Sequence, residues 1–486
     1  MTDKGHEAYE MMVGLEVHVE LATETKMFCR CSARFGDPPN SNICPICMGL
    51  PGALPQPNAE AVRLAVIAAL ALNCSINLRS RFDRKHYFYP DLPKGYQISQ
   101  FDIPLAQGGY IEIDNPRKKI RINRVHMEED AGKSIHAGDE ITTARYSLLD
   151  FNRSGVPLIE IVSEPDIASP EEARQYLEKL QRTLAYAGVS DVKMEEGSMR
   201  VDCNISVRKK GEETRGTPCE MKNLSSFRAV TRALAYEFER QKEILEAGGN
   251  IRRETRHWDE AEEVTKLLRV KQTSDDYRYF PDPDLPPLEL SREFVDEIRD
   301  NMPMLPEEIV RYYTEELGLP EYDGQVLTMD PAISRFFDEC VSLGGDPKTV
   351  SNWIMVELLG YMKDKGIPYD EIPVSAEHFV SMLNLIEDGL ISGKIAKDVL
   401  VSVIETGKAP EVIVKEKGLE QISDEETLAK IVDEVIANNQ SVVEEIKGGK
   451  DKAFGFLVGQ VMKMTKGKAN PAKVNDLLRQ RLSEMM

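Results

Sequence analysis

The stretch 13-VGLEVHVE-20 decides how the N-terminal part of the chain folds. Val13, Leu15, Val17 and Val19 alternate with Glu16, His18 and Glu20, the two-residue period of a strand that buries one face. The other face then carries two carboxylates flanking an imidazole within about 14 Å. Their repulsion is relieved either by bulk water or by a bound cation such as Mg²⁺, which takes oxygen ligands. On this strand alone both readings stand.

Three further stretches extend the pattern. In 197-GSMRVDCNISVR-208 one face holds Met199, Val201, Cys203, Ile205 and Val207, the other Arg200, Asp202, Asn204, Ser206 and Arg208. A carboxylate and an amide bracketed by guanidinium groups suit a metal with an attached phosphate. The segment 126-HMEEDAGKS-134 adds His126, Glu128, Glu129 and Asp130, and 219-CEMKNLSSF-227 adds Glu220, Lys222 and Asn223. Four such segments predict one composite, metal-binding cleft. Two aromatic, Pro-rich stretches, 85-KHYFYPDLPKGYQISQFD-102 and 274-SDDYRYFPDPDLPPL-288, have the composition of ordered functional loops rimming it. Tyr87, Phe88 and Tyr89 are candidates to stack on a nucleotide base and Lys94 to meet phosphate; packing of the aromatics onto the sheet is the alternative.

Cys29, Cys31, Cys44 and Cys47 form C-x-C, twelve residues, then C-P-I-C, a spacing at which four thiolates close a tetrahedral, structural Zn²⁺ site. Disulfides are the rival, disfavoured in a reducing cytosol. Cys74, Cys203, Cys219 and Cys340 have no such partners and read as buried apolar residues.

The 486 residues, 41% of them hydrophobic, exceed one compact core and predict two to four domains. Apolar runs fall short of the ~18 residues of a membrane helix, and 1-MTDKGHEAYE-10 lacks the apolar core of a secretion signal. The expectation is a cytoplasmic enzyme. From about Ser291 onward the apolar spacing becomes helical, as in Val350, Trp353, Ile354, Leu358 and Tyr361, and short helices ending near glycines predict a bundle. A boundary is read near Ala409 and Pro410. Although the net charge is −21, residues 446–486 carry nine Lys or Arg against three acids. That contrast marks a candidate nucleic-acid contact, with a solvated helix face as the bland reading.

GLEVHVEL, YFYPDLPKGYQISQFD, HMEEDAGKS, PLIEIVSEPD, VKMEEGSMRVDCNIS, KNLSSF, SDDYRYFPDPD, GFLVGQVMK and KGKANP, in this order and essentially end to end, resemble the B-subunit family of the aspartyl/glutamyl-tRNA amidotransferases. The resemblance implies an α+β chain. A glutamine synthetase-like cradle domain with an antiparallel sheet would span 1–292, with a zinc loop at 29–47, followed by an all-α helical domain at 293–409 and a YqeY-like tail at 410–486 that meets tRNA.

It also implies an ATP-dependent ligase acting in a heterotrimer. An amidase, the A-subunit, frees ammonia from glutamine, and a small C-subunit ties the amidase to the B-subunit. The B-subunit phosphorylates the side-chain carboxylate of Glu-tRNA(Gln) or Asp-tRNA(Asn), and ammonia then displaces the phosphate. By motif match Mg²⁺ falls to Glu16, His18, Glu128, Glu129 and Glu220, with Asp202 and Asn204 as further catalytic members and Glu160 as an additional ligand. Lys94, Arg200, Lys222 and Tyr89 are expected at ATP or acyl phosphate, and Lys450, Lys452, Lys463, Lys466 and Lys468 at tRNA. The alternative is a tRNA-binding scaffold without a catalytic site of its own.

Overall fold

The computed structural model describes residues 8–137, 145–270, 274–419, 425–447, 452–465, 469 and 471–485. The fold is α+β, and the chain divides into two compact units, 1–306 and 307–486.

The first unit is built on β1 (Tyr9–Glu20), whose residues alternate strictly between buried and half-buried. After helix α1 (Ala59–Ala71) come the short strands β2 (Ser75–Ile76), β3 (Arg79–Ser80), β4 (Asp83–His86) and β5 (Tyr96–Ser99), then the long β6 (Ala106–Asp114) and β7 (Arg117–Glu129). The hairpin β8 (Lys133–His136) and β9 (Ser147–Asp150) precedes β10 (Pro157–Ser163) and helix α2 (Pro170–Tyr186). β11 (Met199–Lys209), β12 (Cys219–Leu224), helix α3 (Phe227–Glu246), β13 (Glu254–Asp259) and β14 (Val264–Val270) complete the layer. Among the described residues nine strands form one sheet in the order β14-β13-β12-β11-β1-β10-β7-β6-β2. Every pairing is antiparallel except β12 with β13.

Val13, Leu15, Val17 and Val19 are wholly buried against one continuous core that includes α1, α2 and α3. That burial fixes the register, because a one-residue slip would drive Glu16, His18 and Glu20 into it. Gly109 on β6 is required by packing: a Cβ there would lie 2.3 Å from the Leu72 carbonyl oxygen and 2.4 Å from Cys74 Sγ, just past α1. The four isolated cysteines, Cys74, Cys203, Cys219 and Cys340, are buried. Helix α4 (Arg292–Asp300) sets Val295 and Ile298 into the first core, so the first unit runs beyond residue 292 to 306.

The second unit is helical, with one apolar cluster around Phe337, Phe379 and Val399 and another around Leu428, Leu457 and Leu478. Ile413 and Val414 belong to the former, past the boundary read near Ala409. The helix Gly393–Thr406 shows its sequence signals directly: Ser392 Oγ caps the Ile395 amide at 3.3 Å, and Gly407 closes it in the left-handed conformation. The run from Val350 to Tyr361, helical in its apolar spacing, contains a π turn, Ile354–Leu358, between two α segments. No helix among the described residues is long and apolar enough to cross a membrane.

Candidate active site and thiolate centre

Register brings the polar residues together on the sheet face away from the helices. His18 on β1 stands opposite Glu160 on β10, which stands opposite His126 on β7. On the other side Glu16 is opposite Asp202, and Asn204 is opposite Glu220. Between Val201 and Cys203 the register shifts, with Lys222 and Asn223 on β12 facing the single residue Asp202. Asn223 takes φ +65° there. This two-against-one bulge turns Lys222 onto Asp202.

Two acidic clusters result. In the first, ligand atoms of His18, Glu128 and Glu160 lie within 4.8 Å of one another; in the second those of Glu16, Asp202 and Glu220 do. Glu16 and His18, two residues apart on β1, stand about 7 Å from each other along the strand. The first cluster includes imidazole, with His18 Nε2 3.5 Å from Glu160 and 3.7 Å from Glu128, and His126 Nε2 3.2 Å from Glu160. The second is all oxygen. Asn204 Nδ2 donates to Glu16 at 2.9 Å, and Thr255 Oγ1 donates to Glu220 at 2.6 Å. Both donor sets suit a hard divalent cation, which carboxylates and waters can surround.

Burial by itself would lower the His18 pKa, but Glu160 and Glu128 outweigh it and raise it to about 9. Glu160 is held well below the usual carboxylate range, the two imidazoles overcoming the effect of burial. In the metal-free protein His18 is therefore protonated at pH 7. Its ion pairing stabilises the fold fully below pH 6.5, and that contribution is lost as pH rises towards 9. A cation must displace this proton. Calorimetry of Mg²⁺ or Mn²⁺ binding at pH 7 in buffers of different ionisation heat is expected to register close to one proton released; no release would remove His18 from the ligand set.

Beside the clusters lies a cleft of about 290 Å³ whose wall includes Lys85, Tyr87, Tyr89, Lys222, Arg269 and Tyr277. Lys85 Nζ sits over the Tyr277 and Tyr87 rings at 5.1 and 5.8 Å. Arg269 donates to the Tyr89 hydroxyl at 2.6 Å. Arg200 donates to Asp130 Oδ2 at 2.7 Å and lies 3.9 Å from Glu20.

Two expected site residues stand elsewhere. Glu129 follows Glu128 on a strand and so points to the opposite side, where its carboxylate pairs with Lys94 and accepts the Ile98 amide at 2.9 Å. The structure brings Glu129 into neither acidic cluster, and Lys94, buried in that pair, does not reach the acidic face. Conversely, Lys85 and Arg269 join the site without having been singled out, and His126, read as part of the acidic segment but not among the ligands, stands in it against Glu160. His126 carried a readable signal, since it lies two residues before Glu128 on one strand. Lys85 and Arg269 carried none beyond charge. Of the basic tail, Lys463 is exposed near the end of the helix Lys452–Met464. Lys450, Lys466 and Lys468 lie outside the described residues, as does the side chain of Lys452.

The four sulfurs of Cys29, Cys31, Cys44 and Cys47 also lie within 4.8 Å of one another, the arrangement a tetrahedral Zn²⁺ requires, with all four positions filled by protein. The Cys47 thiol is brought down to about 5, first by its hydrogen bond with Cys29 and further by the Cys44 amide and Lys26. Burial, with Cys44 and Cys47 nearby, pushes Cys31 up to about 11.

A model of the GatB/GatE catalytic domain matches residues 11–296, and a model of the GatB domain matches residues 335–482. The chain is 54% identical over 479 residues to the B-subunit of the aspartyl/glutamyl-tRNA(Asn/Gln) amidotransferase of Carboxydothermus hydrogenoformans, covering 98% of this chain and 99% of that one. It is 53% identical over 482 residues to the protein of the same name from Caldicellulosiruptor saccharolyticus, and 51% over 477 residues to that from Thermotoga maritima.

Proposed function

The chain belongs to the GatB/GatE family, and from that premise we propose that it is the component of a tRNA-dependent amidotransferase that activates and amidates the aminoacyl group. The substrate would be Glu-tRNA(Gln), Asp-tRNA(Asn) or both. ATP phosphorylates the side-chain carboxylate, and ammonia released from glutamine by an amidase partner displaces the phosphate. The observation that carries the reading is the pair of adjacent acidic clusters on one sheet face.

A carboxylate is unreactive towards ammonia until one oxygen becomes a good leaving group, so the catalyst must manage the charge of a phosphoryl group in transit. A divalent cation held by His18, Glu128 and Glu160, or by Glu16, Asp202 and Glu220, would neutralise phosphoryl oxygens. The chain's own cations complete the task. Lys222, anchored by Asp202 and 3.7 Å from Glu220, sits between the oxygen cluster and the cleft. Lys85, beside its tyrosines, faces the cleft from another wall. Arg200 is held in place by Asp130 for a substrate carboxylate or phosphate. Glu129 and Lys94 are given no part in metal or phosphate binding, because they satisfy each other.

A scaffold that only binds tRNA has no use for two carboxylate clusters beside paired imidazoles, so one experiment separates the readings. The full chain is expected to bind ATP only in the presence of Mg²⁺. Truncation at Gly448, which removes most of the basic tail, is expected to leave that binding intact while weakening tRNA affinity and flattening its salt dependence. Absence of Mg²⁺-dependent nucleotide binding would favour the scaffold, and an unchanged salt slope would remove the tail from the tRNA surface.

A further inference from the structure

The amino group of Lys26 is sealed in the protein: the residue has 0% exposure. Its Nζ donates to the Phe151 carbonyl at 3.1 Å and to Cys47 Sγ at 3.8 Å. Among the described residues these hydrogen bonds of Lys26 Nζ go to a carbonyl and a sulfur, with no carboxylate among them. Glu129, a wall of the adjoining 90 Å³ cavity, is engaged by Lys94 and the Ile98 amide. A buried cation without a counter-ion is strongly unfavourable. A metal bound by four thiolates would carry a net charge of −2, and the contact with Cys47 Sγ sets Lys26 beside it.

We infer that Lys26 is the internal counter-ion and positioning residue of the four-cysteine metal centre, holding the Cys47 sulfur as a thiolate ligand. Cys47 Sγ also accepts the Cys44 amide at 3.2 Å, so two donors fix this one sulfur. The same ammonium clamps the strap after β9 to the cysteine loop. Asn40 and Asn42 of that loop bind the strap through the Asn40 amide to Asp150 Oδ1 at 3.0 Å and the Asn42 amide to Asn152 Oδ1 at 2.8 Å. The strap in turn meets the end of β7, where the Gly155 amide donates to the Asp130 carbonyl at 2.8 Å. Gly155, at φ +89°, leaves a Cβ position 3.4 Å from Lys26 Cδ and 3.6 Å from Cys47 Cβ, so the turn, the lysine and the cysteine pack as one piece. Metal, lysine and strap therefore form a continuous support under the strand that carries Glu128.

Outer partners of metal ligands commonly change metal affinity by about 10- to 100-fold. Zinc release from the purified full chain to the chelator 4-(2-pyridylazo)resorcinol is accordingly expected to be at least tenfold faster in Lys26→Met, and within about threefold of wild type in Lys26→Arg. Release from Lys26→Met at the wild-type rate would overturn the inference. Should that variant fail to fold, the wild-type chain decides by lysine acylation with acetic anhydride and peptide mass spectrometry. Lys26 is expected to be protected in the zinc-loaded protein and acylated after zinc is stripped; equal labelling in both states would contradict the assignment. Neither arm uses ATP or tRNA, so its outcome is independent of the proposed reaction.

Discussion

Glu160→Ala is expected to lower ATP-dependent amidation by at least about a thousandfold, roughly 4 kcal/mol of transition-state stabilisation. Glu160 stands between His18 and His126 and shares its cluster with Glu128. Its loss removes the anion that aligns both imidazoles and leaves Glu128 to face any cation with one carboxylate fewer. Because the residue lies on the sheet face and far in sequence from the basic tail, tRNA affinity should be almost unchanged. Single-turnover amidation of misacylated tRNA by the reconstituted complex, at saturating Mg²⁺ and ATP, measures the effect. A loss smaller than tenfold would take the His18, Glu128 and Glu160 cluster out of the chemistry.

The largest expected effect on stability comes from a different place, the buried ionic network that pins the β13–β14 edge to α3. Glu237 is wholly buried and accepts from Arg240 at 2.6 Å, Gln241 at 2.9 Å and Thr265 at 2.9 Å, with Arg256 Nε 3.6 Å away. Burial alone would raise its pKa, but Arg240, Gln241 and Thr265 hold it below the usual carboxylate value. Removing Glu237 leaves Arg240 and Arg256 with Glu254 as their carboxylate partner, at 3.6 and 2.7 Å, but strips the buried Gln241 and Thr265 donors of their acceptor, a loss of about 3 kcal/mol. Glu237→Ala should therefore lower the urea midpoint of the first unit, followed by the fluorescence of the buried Trp258 in a Trp353→Phe background. The difference from wild type should shrink as the pH falls below the carboxylate range, since a depressed pKa contributes fully above the unfolded-state value and the contribution is lost as pH falls through the folded-state one. An unchanged midpoint would show that the network relaxes without cost.

Strand alternation carried most of what the sequence revealed about the site. Two residues apart means the same face, which placed Glu16 with His18 and Asp202 with Asn204 before any coordinates. The same rule, applied strictly to 126-HMEED-130, separates Glu129 from Glu128 and couples His126 to Glu128, as the structure has it. Pairing across strands was not legible from periodicity. That β10 lies between β1 and β7, so that Glu160 reaches both histidines, depends on long-range packing. Nor could the bulge that turns Lys222 onto Asp202 be read, because a single extra residue leaves no trace in composition. The helical unit was readable in its apolar spacing and its glycines but not in its π turn, whose extra residue fits a helical apolar pattern equally well. Lys26 carries no mark of its role beside the cysteines, since burial of a lysine has no sequence signature.

If the two acidic clusters serve to turn a tRNA-borne carboxylate into an acyl phosphate, an oxygen atom must pass from that carboxylate to phosphate, and isotope transfer reads it. The side-chain carboxylate of the misacylated tRNA is labelled with ¹⁸O, amidation is run in the reconstituted complex with ATP and Mg²⁺, and the inorganic phosphate is analysed by mass spectrometry. One ¹⁸O atom per amide formed is expected in the phosphate. Phosphate free of label, with amide still produced, would contradict the account.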